Sequence, residues 1–215
     1  MTLDEKQRVL SGVTQEVKVF KGLEIAKTAI NGVAGEGNPD TEILFIGEAP
    51  GRNEDMTGRP FVGQAGKLLE KNLNAIGLQR QDVFITNIVK YRPPDNRDPF
   101  PDEIEACKGW LDTQIITISP RIICTLGRFS MAKFIPGVTI SQVHGQARLI
   151  DFEGKQYIVF PMYHPAAALR AGSMMKLFEE DFVKLKNLLG KKPESGPDPS
   201  NNTESSSQLG LFNEK

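Results

Sequence analysis

Histidine, cysteine and tryptophan are scarce in this chain, at two, two and one among 215 residues. Two thiols, Cys107 and Cys124, are too few for a disulfide framework. They fall inside segments that read as helix and strand, so a reducing compartment is expected, and neither has zinc-ligand spacing. Long apolar runs are missing as well: no window approaches the ~20 apolar residues that cross a bilayer, and the first ten residues lack the basic-then-apolar order of a secretion signal. The expected location is the cytoplasm. Neither sign of charge dominates, since 26 Lys and Arg face 27 Asp and Glu for a formal net charge of -1. That balance excludes the coating of long nucleic-acid tracts, where phosphate neutralisation needs many cations, but it permits a short basic patch. What remains is ordinary for a globular chain, 39% apolar and 25% charged, and the length suits one compact domain with appendages.

Four short β-branched or aromatic runs, residues 41–47 (TEILFIG), 82–89 (DVFITNIV), 121–127 (RIICTLG) and 156–163 (QYIVFPMY), read as buried strands. Helical patterns lie between them, at 64–76 with Leu68, Leu69, Leu73 and Ile76 on one face, and at 101–118 behind an acidic first turn. Residues 174–189 form a closing amphipathic helix, and residues 1–34 a further helical segment packed on the core. Alternating strands and helices imply an α/β fold whose central, mainly parallel four-stranded sheet is covered on both faces, with functional loops at the strands' carboxyl ends. The main domain is expected over 35–190. From 191 to 215 the chain is rich in Pro, Ser, Asn and Asp, the composition of a disordered tail, yet it carries QLGLF at 208–212.

Three loops carry candidate chemistry. After the first strand come Gly47, Glu48, Ala49, Pro50 and Gly51, then Glu54 and Asp55, then GRPFVG at 58–63. A small-residue turn after a strand lets backbone amides approach a ligand. Neither a phosphate-binding P-loop nor a dinucleotide fingerprint is present: GQAGKL at 63–68 has the wrong glycine spacing and no Ser or Thr after its lysine. A surface turn with solvated carboxylates would explain this loop alone. In the second segment Asn87 ends an apolar strand, where its amide offers a donor and an acceptor side by side, complementary to the O4 and N3-H edge of a pyrimidine. A turn-capping role would explain it equally. In the third, His164 stands at the mouth of the last strand, followed by a small-residue loop with Leu169 and Arg170. His144 reads as a loop residue.

Together, GEAPG with the downstream ED, GRPFVG, TNIVK followed by RPP and NRDP, LGR at 126–128 and HPAAALR form an ordered set that resembles the family-four uracil-DNA glycosylases over roughly residues 35–189. The resemblance implies a three-layer α/β/α sandwich acting in base excision repair on DNA containing uracil, as a monomer without membrane association. Residue by residue, it implies that residues 47–51 line the uracil pocket, that Glu48 handles water or the developing sugar cation, and that His164 stabilises the leaving base. Phe61 would stack on the flipped base and Asn87 would read its pairing edge, with Glu54 and Asp55 shaping the pocket. Leu169 matches the wedge that fills the gap in the duplex, Arg170 contacts the backbone or the stack, and Arg59, Lys90, Arg92 and Arg97 are candidate phosphate contacts.

Most members of that family hold a four-cysteine iron-sulfur cluster. Here only Cys107 occupies one of the four ligand positions; the upstream pair falls near Phe20 and Leu23, and the third position is Tyr91. Apolar and aromatic side chains cannot bind iron. No metal or other cofactor is therefore expected, and Phe20, Leu23 and Tyr91 should form a hydrophobic plug tying the N-terminal helix to the core. The histidine-bearing loop of crosslinking relatives is missing between Tyr91 and Cys107, which favours turnover by water. Gln208, Leu209, Leu211 and Phe212 resemble the peptide with which bacterial repair proteins dock on the sliding clamp. Two other readings stay open: a non-catalytic or altered-specificity sensor of deaminated bases tethered to that clamp, and a nucleotide-hydrolysing α/β domain, which the missing Walker sequence argues against.

Overall fold

The computed structural model describes residues 1–190; the expected disordered tail, with Gln208, Leu209, Leu211 and Phe212, lies outside the described residues. In chain order the strands are β1 (Glu36–Gly37), β2 (Ile43–Gly47), β3 (Phe84–Asn87), β4 (Ile122–Leu126), β5 (Arg148–Phe152) and β6 (Lys155–Met162). The helices are α1 (Leu3–Val19), α2 (Glu24–Thr28), α3 (Arg52–Thr57), α4 (Gln64–Ala75), α5 (Pro101–Ile118), α6 (Arg128–Phe134), α7 (Ile140–Val143), α8 (Pro165–Ala168) and α9 (Gly172–Gly190).

The four expected strands form a parallel centre in the order β3, β2, β4, β6. The sheet, however, has six strands, not four. β1 pairs antiparallel with β3 at one edge, and β5 pairs antiparallel with β6 at the other. Strand β5 escapes the apolar-run criterion because Arg148, Leu149 and Asp151 are exposed at the edge. Its turn is nevertheless written in the chain: Glu153 and Gly154 both take positive φ, 49° and 76°, the signature of a two-residue hairpin turn of primed type.

Each central strand is buried on both faces, and alternate residues supply two separate cores. Leu44 and Ile46 of β2 pack with Ile123 and Val159 against α1 and α5, whereas Ile43 and Phe45 pack with Ile122, Cys124 and Phe160 against α4 and α9. The result is the three-layer sandwich. Among the described residues no helix is long and apolar enough to cross a membrane.

A capping box starts α1, with Glu5 N donating to Thr2 Oγ1 at 3.3 Å and Thr2 N to Glu5 Oε2 at 2.7 Å. The far end of this helix meets the expected plug. The Phe20 and Tyr91 rings stack at 6.2 Å, and Trp110 of α5 meets Phe20 edge-on at 5.1 Å. Tyr91 is buried, and its hydroxyl donates to Val17 O at 2.7 Å; Leu23 packs at the rim of the same core and Cys107 lies fully buried within it. Trp110, not singled out in the sequence, completes the cluster and donates to Glu16 at 2.8 Å.

Tyr91→Ala removes a buried ring from this junction, so a loss of about 3–5 kcal/mol is expected in denaturant unfolding. Tyr91→Phe, which removes only the hydroxyl, should cost about 1 kcal/mol.

Candidate active site

In an open parallel sheet the crevice beyond the strand carboxyl ends is the natural binding place. Here a cavity of about 570 Å³ lies there, lined by residues that follow β2, β3, β4 and β6. Of the expected site residues, Glu48, Ala49, Pro50, Gly51, Glu54, Phe61, Asn87, Arg97, His164 and Arg170 line it. Gly47, also expected on the lining, is not part of it but adjoins two residues that are. A Cβ on Gly47 would lie 2.3 Å from Asn87 Oδ1 and 2.5 Å from the Phe61 ring, so only glycine lets that amide and that ring converge.

Asn87 is 2% exposed, and its Oδ1 has no hydrogen-bond partner among the described residues. A buried acceptor left unpaired costs about 1–3 kcal/mol, which a bound donor would recover. Beside it, Phe61 holds φ at 50°, the left-handed region that side chains seldom adopt. Such a conformation costs on the order of 1–3 kcal/mol and persists only where the surroundings impose it. They do: Glu54 Oε1 accepts from Val62 N at 2.9 Å and Gly63 N at 2.8 Å, and its Oε2 from Gly51 N at 3.2 Å. The start of α4 passes so close that a Cβ on Gly66 would fall 1.8 Å from Phe61 O.

His164 caps α8, with its Nδ1 accepting from Ala166 N at 3.1 Å. That bond fixes the neutral tautomer with the proton on Nε2. Burial pushes the imidazole pKa down to about 4, against which nearby Glu54 acts weakly. Its ring centroid lies 5.7 Å from that of Phe61. Glu48 moves in the opposite sense. Burial raises its carboxyl above the usual range, Asp98 adds to the rise, and Arg128 opposes it. Asp98 and Arg128 are themselves ion-paired on the cavity wall. The sequence reading did not assign either a role; their place after β3 and β4 was the available signal.

Several expected residues stand elsewhere. Lys90 is fully buried, not a phosphate contact; its ammonium donates to Thr86 Oγ1 at 2.7 Å, Gln114 Oε1 at 2.8 Å and Asn87 O at 2.9 Å. Burial brings its pKa down to about 7. It lies in the bend that follows β3, where every residue from 83 to 91 is buried, a placement that charge alone does not reveal. Asp55 lies outside the cavity lining and holds the N-terminal segment, accepting from Ile30 N at 2.8 Å and Asn31 N at 3.1 Å. Arg59 also lies off the lining, paired with Glu36 at 2.8 Å. Arg97 is on the rim but held by Glu103 in a two-point bond of 2.7 and 2.9 Å, with its guanidinium 3.7 Å over the Phe100 ring. Arg92 donates to Asn96 at 2.8 Å. Leu169 is 46% exposed beyond α8, next to exposed Arg170. His144, read as a loop residue, pairs with buried Asp181 at 2.8 Å, and its ring lies tilted with its centroid 4.6 Å from that of Tyr163, a cavity residue.

The low pKa of His164 has a stability consequence. As pH falls from the ordinary 6.5 towards about 4, the unfolded chain takes up a proton that the folded chain refuses, so stability present at neutral pH is lost across that window. The NMR ring signals of His164 in the folded protein should titrate with a midpoint near 4; an inflection near neutral pH would contradict the buried neutral form.

A family model of the uracil DNA glycosylase superfamily matches residues 34–189. The chain is 49% identical to the type-4 uracil-DNA glycosylase of Sulfurisphaera tokodaii over 185 residues, covering 83% of this chain and 84% of that one. It is 49% identical to the type-4 uracil-DNA glycosylase of Saccharolobus solfataricus, with 84% and 87% covered, and 46% identical to that of Archaeoglobus fulgidus, with 85% and 94% covered. With a parallel-centred sandwich and its loop cavity on the same matched residues, the chain belongs to the uracil DNA glycosylase superfamily.

Proposed function

We propose that this chain is a monofunctional uracil-DNA glycosylase, acting as a monomer, that flips uracil out of DNA and hydrolyses its N-glycosidic bond to leave an abasic site. The observation that carries this reading is the buried Asn87 Oδ1, unpaired among the described residues and close to Gly47, as the Phe61 ring is, in a cavity that also holds a neutral His164. An amide there accepts from uracil N3-H through Oδ1 and donates to O4 through Nδ2, while Phe61 stacks on the ring. Leu169, exposed beyond α8 with exposed Arg170 next to it, would fill the gap left in the duplex.

As the bond between C1′ and N1 breaks, its electron pair passes into the uracil ring and charge develops on O2. The His164 Nε2-H donates to that oxygen, while the sugar becomes cationic. Glu48, as the anion, stabilises that cation; the oxygen of a water bonds to C1′, and its proton leaves to Glu48 or to solvent. The base leaves as an anion held by the His164 hydrogen bond and takes a proton from solvent at N1, so the products are free uracil and an abasic strand. A cavity with few waters strengthens both charge interactions.

A uracil-containing oligonucleotide, incubated with the protein and then cleaved by alkali, should yield the abasic product. Glu48→Ala and His164→Ala should each lose on the order of 10²–10³ in rate. Activity should fall as pH drops through a Glu48 pKa above 4.5, because the anion is the working form. Asp98→Asn should move that acid limb to lower pH and Arg128→Met to higher pH. Tight uracil-DNA binding without product would support the sensor reading instead.

We further propose that the chain carries no iron-sulfur cluster, because Phe20, Leu23 and Tyr91 fill the remaining places around the single thiol Cys107. Elemental analysis of protein made under iron-replete conditions should find no stoichiometric iron. The tail supports one more proposal, that Gln208, Leu209, Leu211 and Phe212 tether the enzyme to a sliding clamp. Deleting residues 208–212 should abolish clamp binding and leave excision from free oligonucleotides unchanged.

A further inference from the structure

Phe61 is held from both sides along the backbone. Glu54 takes the two amides that follow it, and Arg80 takes the two carbonyls at and before it. Arg80 stands in the short 3-10 turn Arg80–Asp82, immediately ahead of β3. Its Nη1 donates to Phe61 O at 3.0 Å and its Nη2 to Pro60 O, while Nε donates to Glu36 Oε1 at 2.7 Å. The planar guanidinium spans two successive carbonyls and a carboxylate at once, which an ammonium cannot do.

Glu36 is the anchor of this arrangement. It sits on β1 opposite Ile85 of β3, so the two-residue edge strand fixes it against the sheet. Arg59 holds the same carboxylate through Nε at 2.8 Å and Nη2 at 3.0 Å. Burial pushes the Glu36 carboxyl upward, but the hydrogen bonds from Arg59 and Arg80 outweigh it and keep the group below the usual carboxylate range. The anchor therefore stays charged across the neutral region.

We propose that Arg80 is a positioning residue for base recognition: by clamping Pro60 O and Phe61 O it imposes the left-handed backbone that turns the Phe61 ring into the cavity. Arg80 leads directly into the strand that ends at Asn87, so one short segment, residues 80–87, fixes both the stacking ring and the pairing amide. The planes that must meet the base thus share a common mount. This inference rests on the stacking role proposed for Phe61.

The test is a double-mutant cycle on single-turnover excision from a uracil-containing oligonucleotide, with amide exchange as an independent arm. Arg80→Met should lose about tenfold in kcat/KM, the size of a base-aromatic stacking contact. Combined with Phe61→Ala it should be no worse than Phe61→Ala alone, whereas combined with Leu169→Ala the two losses should multiply. A general loss of folding would multiply in both backgrounds and overturn the proposal, as would wild-type activity in Arg80→Met. If Arg80→Met does not fold, Arg80→Lys decides. It keeps a cation beside Glu36 but only one point donor, and its smaller loss should vanish in the Phe61→Ala background; a loss that persists there overturns the proposal. The Val62 and Gly63 amides should exchange at least about tenfold faster in either folded variant, because the local opening they report loses its restraint. Unchanged exchange overturns the clamp even if the wild-type protein releases no uracil, an outcome that would by itself defeat only the glycosylase reading.

Discussion

The absence of a side chain at Gly47 is the constraint on which the cavity depends. It is the last residue of β2, paired in register with Asn87 of β3, and any Cβ there would collide with both the Asn87 amide and the Phe61 ring. Parallel strands leave their carboxyl ends level, so the loops after β2, β3, β4 and β6 open into one crevice. Glycine then permits two side chains from different elements to approach at right angles of function: a ring for the face of a planar ligand and an amide for its edge. Everything else in the cavity is arranged around that convergence.

Burial shifts the two ionisable groups of the cavity in opposite directions, and both shifts favour neutrality. The imidazole of His164 loses its affinity for a proton while the carboxyl of Glu48 gains it. For the histidine this is an advantage, since a neutral ring with its proton on Nε2 donates a hydrogen bond at any physiological pH. For Glu48 it is a liability, because its anion is the form that would face a sugar cation. The Arg128 guanidinium counters part of that liability, and Asp98, by pairing with Arg128, limits how much. The wall after β3 and β4 thereby sets the charge state of a residue that follows β2.

Much of this was legible in the chain. Buried parallel strands are continuous apolar runs, so β2, β3, β4 and β6 stood out, and α5 was bounded by its proline and acidic first turn. The GEAPG, GRPFVG, TNIVK and HPAAALR segments each supply residues to one cavity. What failed to show was anything set by the third dimension alone. Strand β5 is an exposed edge whose pattern is mixed, and β1 has two residues. Lys90, Arg59 and Arg97 all read as candidate phosphate contacts, yet one is buried and two are bound to carboxylates, because sequence gives a charge its sign but not its partner. Arg80 was passed over for the same reason: its importance lies in backbone carbonyls, which every residue has.

The N-terminal segment, read as a helical segment packed on the core over residues 1–34, is joined to the site through the strand that carries Asn87. Ala34 O accepts from Thr86 Oγ1 at 2.8 Å and from Gln114 Nε2 at 2.7 Å, and Val33 N donates to Lys90 O at 2.8 Å. Lys90 closes the group by donating to Thr86, Gln114 and Asn87 O. A lysine ammonium taken wholly out of water is costly, and among the described residues its hydrogen bonds go to neutral oxygens, so burial brings its pKa down to about 7. The same segment reaches the other loop, where Asp55 accepts from Ile30 and Asn31. Upstream, the Tyr91 hydroxyl is bonded to Val17 O and its ring is stacked on Phe20. Residues 17–34 thus brace the backs of both the Asn87 strand and the Glu54 loop, and the aromatic plug fixes where that brace begins. Ring packing and one hydroxyl fix the start of that brace by shape, so the backing of the Asn87 strand depends on the fit of Phe20, Tyr91 and Trp110.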